Sequence, residues 1–534
     1  MNILSDPCIP VTSAGGPAMR SVRAVLATAH ELDGLACSTA TLRIAILRQL
    51  LLPIVLDALG PPRSTAELAS LLTSGRFDMT RIDPYLDEVE SRFHLFDETA
   101  PFGQVAGLRT AKDEVKSVSL LQPQAASGNN VTLFSPRSEA DVVLLEPAEA
   151  LWWLLHAQCY DTAAIKSGAV GDEKVKGGKT TGNPTGSLGR FGAVVPTGRN
   201  LFETLVLNLP IRENGADPHD SPWWRRGPLT PSWEERPATG VLDLWTWQSR
   251  RIRLVRDEQS GLVFGAVVCA GDRLSVFPDF EPHCTWSVTA KPKKGEPPEK
   301  PRRTRSGQAS WQGFGSLLAV STLDDHRDGF KTSKLLGQVG DLWDQGLDPT
   351  YPLGVDLVGF EYGNQSAVFE NLVADSLPLP VKALLAGDEV GPLLEQVARD
   401  ADALVRAVNI LEGDLRRAVG SELIPWDKGQ RASSRLIHRL DGVVRRLLRG
   451  MQSNPADPGA ALDAWRATAR RLVYEVRDEL VEAAPTDAHR GRPESPDSDR
   501  RHNVATAELR FSKNVVDVIG KASKQEATPT EVPA

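Results

Sequence analysis

The stretch Gly171–Gly182, GDEKVKGGKTTG, is a first candidate for chemistry, because Gly178-Lys179-Thr180 matches the end of a nucleotide-phosphate loop. Such a loop needs the spacing Gly-x-x-x-x-Gly-Lys-Ser/Thr, so that successive backbone N–H groups curl around the phosphates. The first glycine would fall at position 173, where Glu173 stands and would repel a triphosphate. The preceding LWWLLHAQCYDTAAIKSGAV carries apolar residues at helical spacing, not the short buried strand the loop requires. ATP binding is not expected. A second candidate is Asp324, Asp325, His326 and Asp328, whose carboxylates and imidazole could hold a divalent metal. No histidine pair elsewhere matches them, so a polar surface loop is the simpler reading. His156 lies on an apolar helix and reads as a core residue with a satisfied ring. HExxH, GxSxG and CxxC are all missing, and the sequence does not argue for an enzyme.

Binding chemistry fares better. The formal net charge of −8 points away from nucleic acid, but total charge misleads when basic residues cluster. Lys166, Lys174, Lys176, Lys179, Arg190 and Arg199 share one glycine-rich stretch with only Asp172 and Glu173 against them. KPKKGEPPEKPRRTR (291–305) and RASSRLIHRLDGVVRRLLR (431–449) are two further basic patches. A single patch is ordinarily a solvated face; three on an acidic chain point to a polyanion. Glycines let a backbone approach DNA closely while lysines hold its phosphates. In the minor groove the base-edge pattern is degenerate and is read only loosely.

The elements that must position these residues divide the chain by texture. With 534 residues, 41% apolar and 24% charged, it is long enough for two to four domains. No apolar run approaches the ~20 residues of a membrane span, and no secretory signal is evident. Five cysteines without CxxC pairs suggest reduced thiols, and the expected location is cytoplasmic. Short strands are expected near Asn2–Leu4 and Ile9–Val11, then a helix in TLRIAILRQLLLPIVLDAL kinked at Pro53, then two helices over 64–92. From about 93 to 380, β-like runs (VVLL, GVLDLWTW, RIRLV, LVFGAVV) alternate with glycine- and proline-rich loops. After Pro380, four amphipathic segments predict a helical bundle. The fold class is α+β: a large, mixed, loop-rich N-terminal domain (1–380), a C-terminal four-helix bundle (381–520) and a disordered tail (521–534).

Several stretches together resemble the large subunit of the type I-E CRISPR Cascade surveillance complex, the CasA family. NILSDPCIPV is similar to the family's opening signature, with Cys8 where an aromatic residue is usual. FHLFDETAPFGQ (93–104), IKSGAVGDEKVKGGK followed by GRNLFETLVLNL (198–209), YGNQSAVFEN (362–371) and the helical last quarter follow in the family's order. The resemblance implies recognition of a protospacer-adjacent motif through the minor groove of double-stranded DNA. It further implies wedging of the duplex to start an R-loop, and recruitment of a separate helicase–nuclease that supplies ATP use.

Residue by residue, the resemblance puts Thr162, Ala163, Ala164, Lys166, Ser167 and Gly168 at the minor groove; some relatives carry a glycine run at 162–164. Arg273, in AGDRLSV, takes the place of a motif-reaching lysine finger, and Gln365 with Asn364 beside it matches a glutamine wedge. Asn129, Asn130 and Phe134, in SGNNVTLFSPR, match the loop that contacts the guide RNA and the backbone subunit. Backbone and small Cascade subunits are the further partners implied. Certain relatives bind zinc through paired cysteines that this chain lacks, so no metal or other cofactor is expected.

With that frame, Lys174, Lys176 and Lys179 are expected on the DNA backbone, Arg435, Arg439 and Arg446 along the path of a separated strand, and 291–305 as a mobile arm on the duplex. Two alternatives stay open. A nucleic-acid scaffold without motif reading predicts equal affinity for duplexes with and without a particular trinucleotide. A metal-dependent nuclease built on Asp324, Asp325, His326 and Asp328 predicts DNA cleavage by the isolated chain.

Overall fold

The computed structural model describes residues 1–125, 143–212, 217, 219–318, 329–423, 431–453, 457–495 and 498–520. The class is α+β, and the chain forms two compact units. The first comprises Met1–Ser306, Leu323–Leu347 and Leu353–Ser376; the second comprises Gly307–Thr322, Asp348–Pro352 and Leu377–Ala534.

In the first unit, the helix expected around Pro53 is divided by a widened turn. An α-helix Ala40–Ile46 passes through a π-helical stretch, Leu47–Leu51, into an α-helix Leu52–Leu59. Pro53 has no N–H to donate one turn back, and a π turn ahead of it accommodates the loss. The turn aims Arg48 inward, where Nη1 donates to Glu281 Oε1 at 2.7 Å and lies 2.8 Å from His283 Nδ1. Ser64 caps the next helix, Thr65–Thr73, as its sequence suggests, accepting from the Glu67 N–H at 3.3 Å. Ile9–Ser13 is a strand, with Gly16–Arg20 and Leu32–Leu35 on either side.

The β-like runs divide. RIRLV and LVFGAVV become the paired antiparallel strands Arg250–Arg256 and Val263–Ala270. GVLDLWTW does not: Val241–Trp245 is a short helix. The Asp220 carboxylate accepts from the Leu242 and Asp243 N–H groups, both at 2.9 Å, so a distant side chain caps the turn and overrides strand propensity. Of VVLL, Leu145 contributes an isolated bridge to Val263.

Two sheets and one helix carry the region of interest. Val263–Ala270 also pairs with Lys116–Ser117 and, in parallel, with the two-residue strand Lys166–Ser167, on which Lys179–Thr180 lies antiparallel. A second sheet runs Val368–Pro378, Gly354–Gly363, Ala193–Thr197. The helix Pro147–Tyr160 is buried from Trp153 through Tyr160, as a helix apolar on all faces must be. His156 lies in it as the sequence suggests, and burial pulls its pKa down to about 3, keeping the ring neutral. The satisfied ring is a different matter: its Nε2 has no hydrogen-bond partner among the described residues, and the ring packs instead against Tyr160 and Phe360.

The second unit holds the long helices Val390–Val419, Ser433–Ser453, Pro458–Glu482 and Val504–Ile519. Their buried stripes follow helical spacing, for example Leu436, Leu440, Val444 and Leu448. Between the third and fourth, where sequence suggests only a loop, stand a short helix Thr486–Arg490 and a small hairpin pairing Arg492–Pro493 with Arg501–His502.

Candidate nucleic-acid interface

The core helix ends at Tyr160, and the chain turns through Asp161 into the loop 162–165. What fixes that turn is Arg250, only 1% exposed. Its Nε donates to Asp161 Oδ2, one Nη2 serves the carbonyls of Thr162 (2.8 Å) and Pro184 (2.7 Å), and Nη1 reaches the Ser249 carbonyl at 2.6 Å. Lys166 approaches the same Asp161 carboxylate at 2.6 Å. Burial alone would raise the Asp161 pKa, but the Lys166 and Arg250 cations override it and hold the group down at about 2. Burial lowers the Lys166 pKa against the pull of Asp161. Asn183 completes the clamp, donating to the carbonyls of Ala164 (3.2 Å) and Thr180 (2.9 Å). The loop's carbonyls are thus tied inward, while Ile165 points out, 60% exposed.

After Lys166–Ser167 comes the lysine-bearing hairpin. Lys176 and Lys179 exchange both backbone hydrogen bonds (3.0 and 3.1 Å) across Gly177 and Gly178, whose φ values of 57° and 73° make the tight turn that favours glycine pairs. The two exposed lysines therefore face each other directly, a like-charge pairing that an anion would relieve. Gly168 is required for close packing: a methyl there would collide with the Val175 side chain. Lys174 and Arg273 are placed differently. Both lie against the buried Trp233 ring, at 4.7 and 3.8 Å from its centroid, and Lys174 Nζ donates to the Trp233 carbonyl. Arg273 also donates to the Thr181 carbonyl (2.7 Å) and to Asn183 Oδ1 (3.2 Å). In this conformation both cations brace the hairpin.

The hairpin of Gly354–Gly363 and Val368–Pro378 carries Asn364 and Gln365, both exposed, at its tip. Asn364, Gln365 and Ser366 all adopt left-handed backbone, with φ of 40°, 60° and 61°. Each such non-glycine residue stores about 1–3 kcal/mol. Tertiary contacts hold the turn. Phe360, Tyr362 and Phe369 pack as a cluster below it, with Phe360–Phe369 centroids 4.7 Å apart, and the Tyr362 hydroxyl donates to the Tyr160 carbonyl at 2.6 Å. The Ala163 N–H donates to the Ser366 carbonyl at 2.8 Å, joining tip and loop directly.

Other expected residues fall elsewhere or outside what is described. In the helical unit Arg435 and Arg439 pair with Glu479, Arg439 also approaches Glu475 at 3.8 Å, and Arg446 is exposed. The segment 291–305 is not wholly an arm: Glu299–Pro301 pairs with Trp286–Val288 in a three-stranded sheet. Asn129, Asn130 and Phe134, the cluster Asp324, Asp325, His326 and Asp328, and the tail 521–534 lie outside the described residues. Among the described residues no group of three or more His, Cys, Asp or Glu is placed to hold a metal, and no helix is long and apolar enough to cross a membrane. Sequence reading missed Arg250, Asp161, Asn183 and Trp233. The only local signal was an arginine pair heading the strand RRIRLVR, where Arg250 and Arg251 are buried with its Ile252 and Leu254.

The family model described as CRISPR-associated protein Cse1 matches residues 2–476. This chain belongs to that family. The CasA/Cse1 protein of Thermus thermophilus is 28% identical over 501 residues, spanning 88% of this chain and 93% of its own length. The crystal structure of Thermobifida fusca Cse1 superimposes with a TM-score of 0.83 at 28% identity, covering 98% of this chain and 99% of that one. A chain of a CRISPR RNA-guided surveillance complex has the same fold, with a TM-score of 0.73 at 20% identity and coverage of 97% and 99%. The resemblance read from the sequence therefore holds.

Two outcomes test this geometry. Gly168→Ala overpacks the hairpin and costs about 1–3 kcal/mol, and adding Val175→Ala recovers most of it, as thermal unfolding of the single and double variants will show. The Asp161 pKa is depressed, so its stabilisation is complete above about pH 4 and is lost as pH falls toward about 2. Asp161→Asn strands two buried cations and costs about 3–5 kcal/mol at neutral pH, and its deficit against the parent shrinks across that acid window in urea unfolding.

Proposed function

We propose that this chain is the large, non-catalytic subunit of a CRISPR RNA-guided surveillance complex. It recognises a protospacer-adjacent motif in double-stranded DNA through the minor groove and starts strand opening. The observation that carries this reading is the bond between Ala163 and Ser366, which joins a clamped small-residue loop to a strained, exposed Asn364-Gln365 tip in one unit. The loop meets the groove floor through Ala163, Ala164 and the adjoining Ser167 and Gly168. Lys176 and Lys179 hold the phosphate backbone, and Arg273 sets the hairpin they stand on. Asn364 and Gln365 enter the base stack, where flat amides replace part of the lost stacking.

Lys166 acts from beneath the loop as a strut for Asp161. On the helical unit, Arg446 takes phosphates of a separated strand, and Arg435 and Arg439 exchange Glu479 for phosphate when a strand arrives. Guide RNA, through Asn129, Asn130 and Phe134, and the backbone and small subunits complete the assembly. A helicase–nuclease is recruited once the duplex is open. The setting is the cytoplasm.

The test is binding of the assembled complex to duplexes that differ only in the flanking trinucleotide. Strong preference for particular trinucleotides is expected; equal affinity for all of them would favour a scaffold that does not read sequence. Replacing Lys176 and Lys179 together by alanine should weaken binding to every duplex and flatten the salt slope by about 1.8. Gln365→Ala should leave first contact intact and impair opening, and identical behaviour of the two variants would contradict the division of roles.

A further inference from the structure

Between the loop and the hairpin the surface of the first unit sinks into a cleft of about 260 Å³. Thr162, Ala164 and Ile165 line it from the loop, Ala367 and Phe369 from just behind the tip, and Gln122 is among its other lining residues. Gln122 is 3% exposed, and its Oε1 has no hydrogen-bond partner among the described residues. A buried acceptor left in that state destabilises a fold relative to an apolar side chain of similar size. Its presence calls for a ligand that donates a hydrogen bond. Phe369 adds a partly buried aromatic ring, and the exposed Lys116 adds a cation, with the Glu114 carboxylate also in the lining.

We infer that this cleft receives a single unstacked nucleobase, the one that loses its partner when Asn364 and Gln365 enter the duplex. The inference rests on the strand-opening role proposed above and supplies what that role lacks. A wedge separates a base pair, but the freed base re-pairs unless something holds it, and enzymes that extrude bases hold them by stacking and by hydrogen bonds to their edge. Here Phe369 provides the π-face, Gln122 Oε1 accepts from a ring or exocyclic N–H, and Lys116 meets the neighbouring phosphate. The volume sits just below the roughly 300–1,000 Å³ of drug-sized ligand sites, the size class of one planar heterocycle. The position fits too, since Ala367 and Phe369 follow the tip in sequence and Ala164 and Ile165 follow the residue bonded to it.

The test uses the assembled complex and duplexes carrying the fluorescent base analogue 2-aminopurine at the first position beyond the motif, on either strand. With the parent protein, the analogue on one strand should change its fluorescence on binding, and only in duplexes with the preferred trinucleotide. Gln122→Leu should abolish most of that change and slow opening about tenfold, the rate equivalent of one lost hydrogen bond. It should keep trinucleotide preference within about twofold, because that preference is set where the loop meets the paired motif, before any base is freed, and Gln122 is not one of the loop's residues, and the free chain should melt at the same temperature or higher. Phe369→Leu should reduce the fluorescence change while preserving the apolar packing under the tip. If Gln122→Leu opens duplexes at the parent rate with an unchanged signal, the cleft holds no base and the inference falls while the opening role stands. If the parent neither prefers a trinucleotide nor opens the duplex, both fall together.

Discussion

One buried guanidinium governs the geometry of this protein's candidate DNA surface. Arg250 gathers the Asp161 carboxylate and the carbonyls of Thr162, Pro184 and Ser249 around a single planar fork. Burying such a charge is costly unless its hydrogen bonds are met, and here several donors have an oxygen in reach. The carboxylate is shared with Lys166, and the strand bearing Lys166 carries the lysine hairpin. Loop, strand and hairpin thus hang from one ion cluster at the end of a helix buried from Trp153 through Tyr160. Recognition residues on loops gain definition only when rigid elements hold them, and Arg250 performs that task without reaching the surface.

The Asn364-Gln365 tip depends on the same cluster at one remove. Three successive left-handed residues would not persist in an isolated turn. They persist here because an aromatic base fixes the strands below and because the Ser366 carbonyl accepts the Ala163 N–H from the Arg250-held loop. A displacement of the loop is therefore felt at the tip through one hydrogen bond. A groove-reading loop and a strand-separating tip need such a coupling if separation is to follow recognition.

Local chemistry was legible in the sequence, and long-range electrostatics was not. The RIRLV and LVFGAVV runs and the Leu436–Leu448 stripe announced their structures, because strands and amphipathic helices are written in adjacent residues. Arg250 and Asp161 stand 89 residues apart, and nothing near either names the other. The same distance effect turned GVLDLWTW into a helix through Asp220, and drew Lys174 and Arg273 onto Trp233. Charge clustering along the chain located the lysines but could not say which ammonium groups point outward. The unpartnered amide of Gln122 had no sequence signature at all.

The most direct test of the account replaces Arg250 by lysine, which keeps the charge but cannot bridge Asp161, Thr162 and Pro184 at once. Affinity of the assembled complex would be measured for duplexes with the preferred and a disfavoured trinucleotide over a range of salt. The account predicts that the preference collapses toward unity while the salt slope, set by Lys176 and Lys179, stays as in the parent. A variant that folds, assembles and keeps its full trinucleotide preference would contradict the claim that this buried cluster shapes the reading surface.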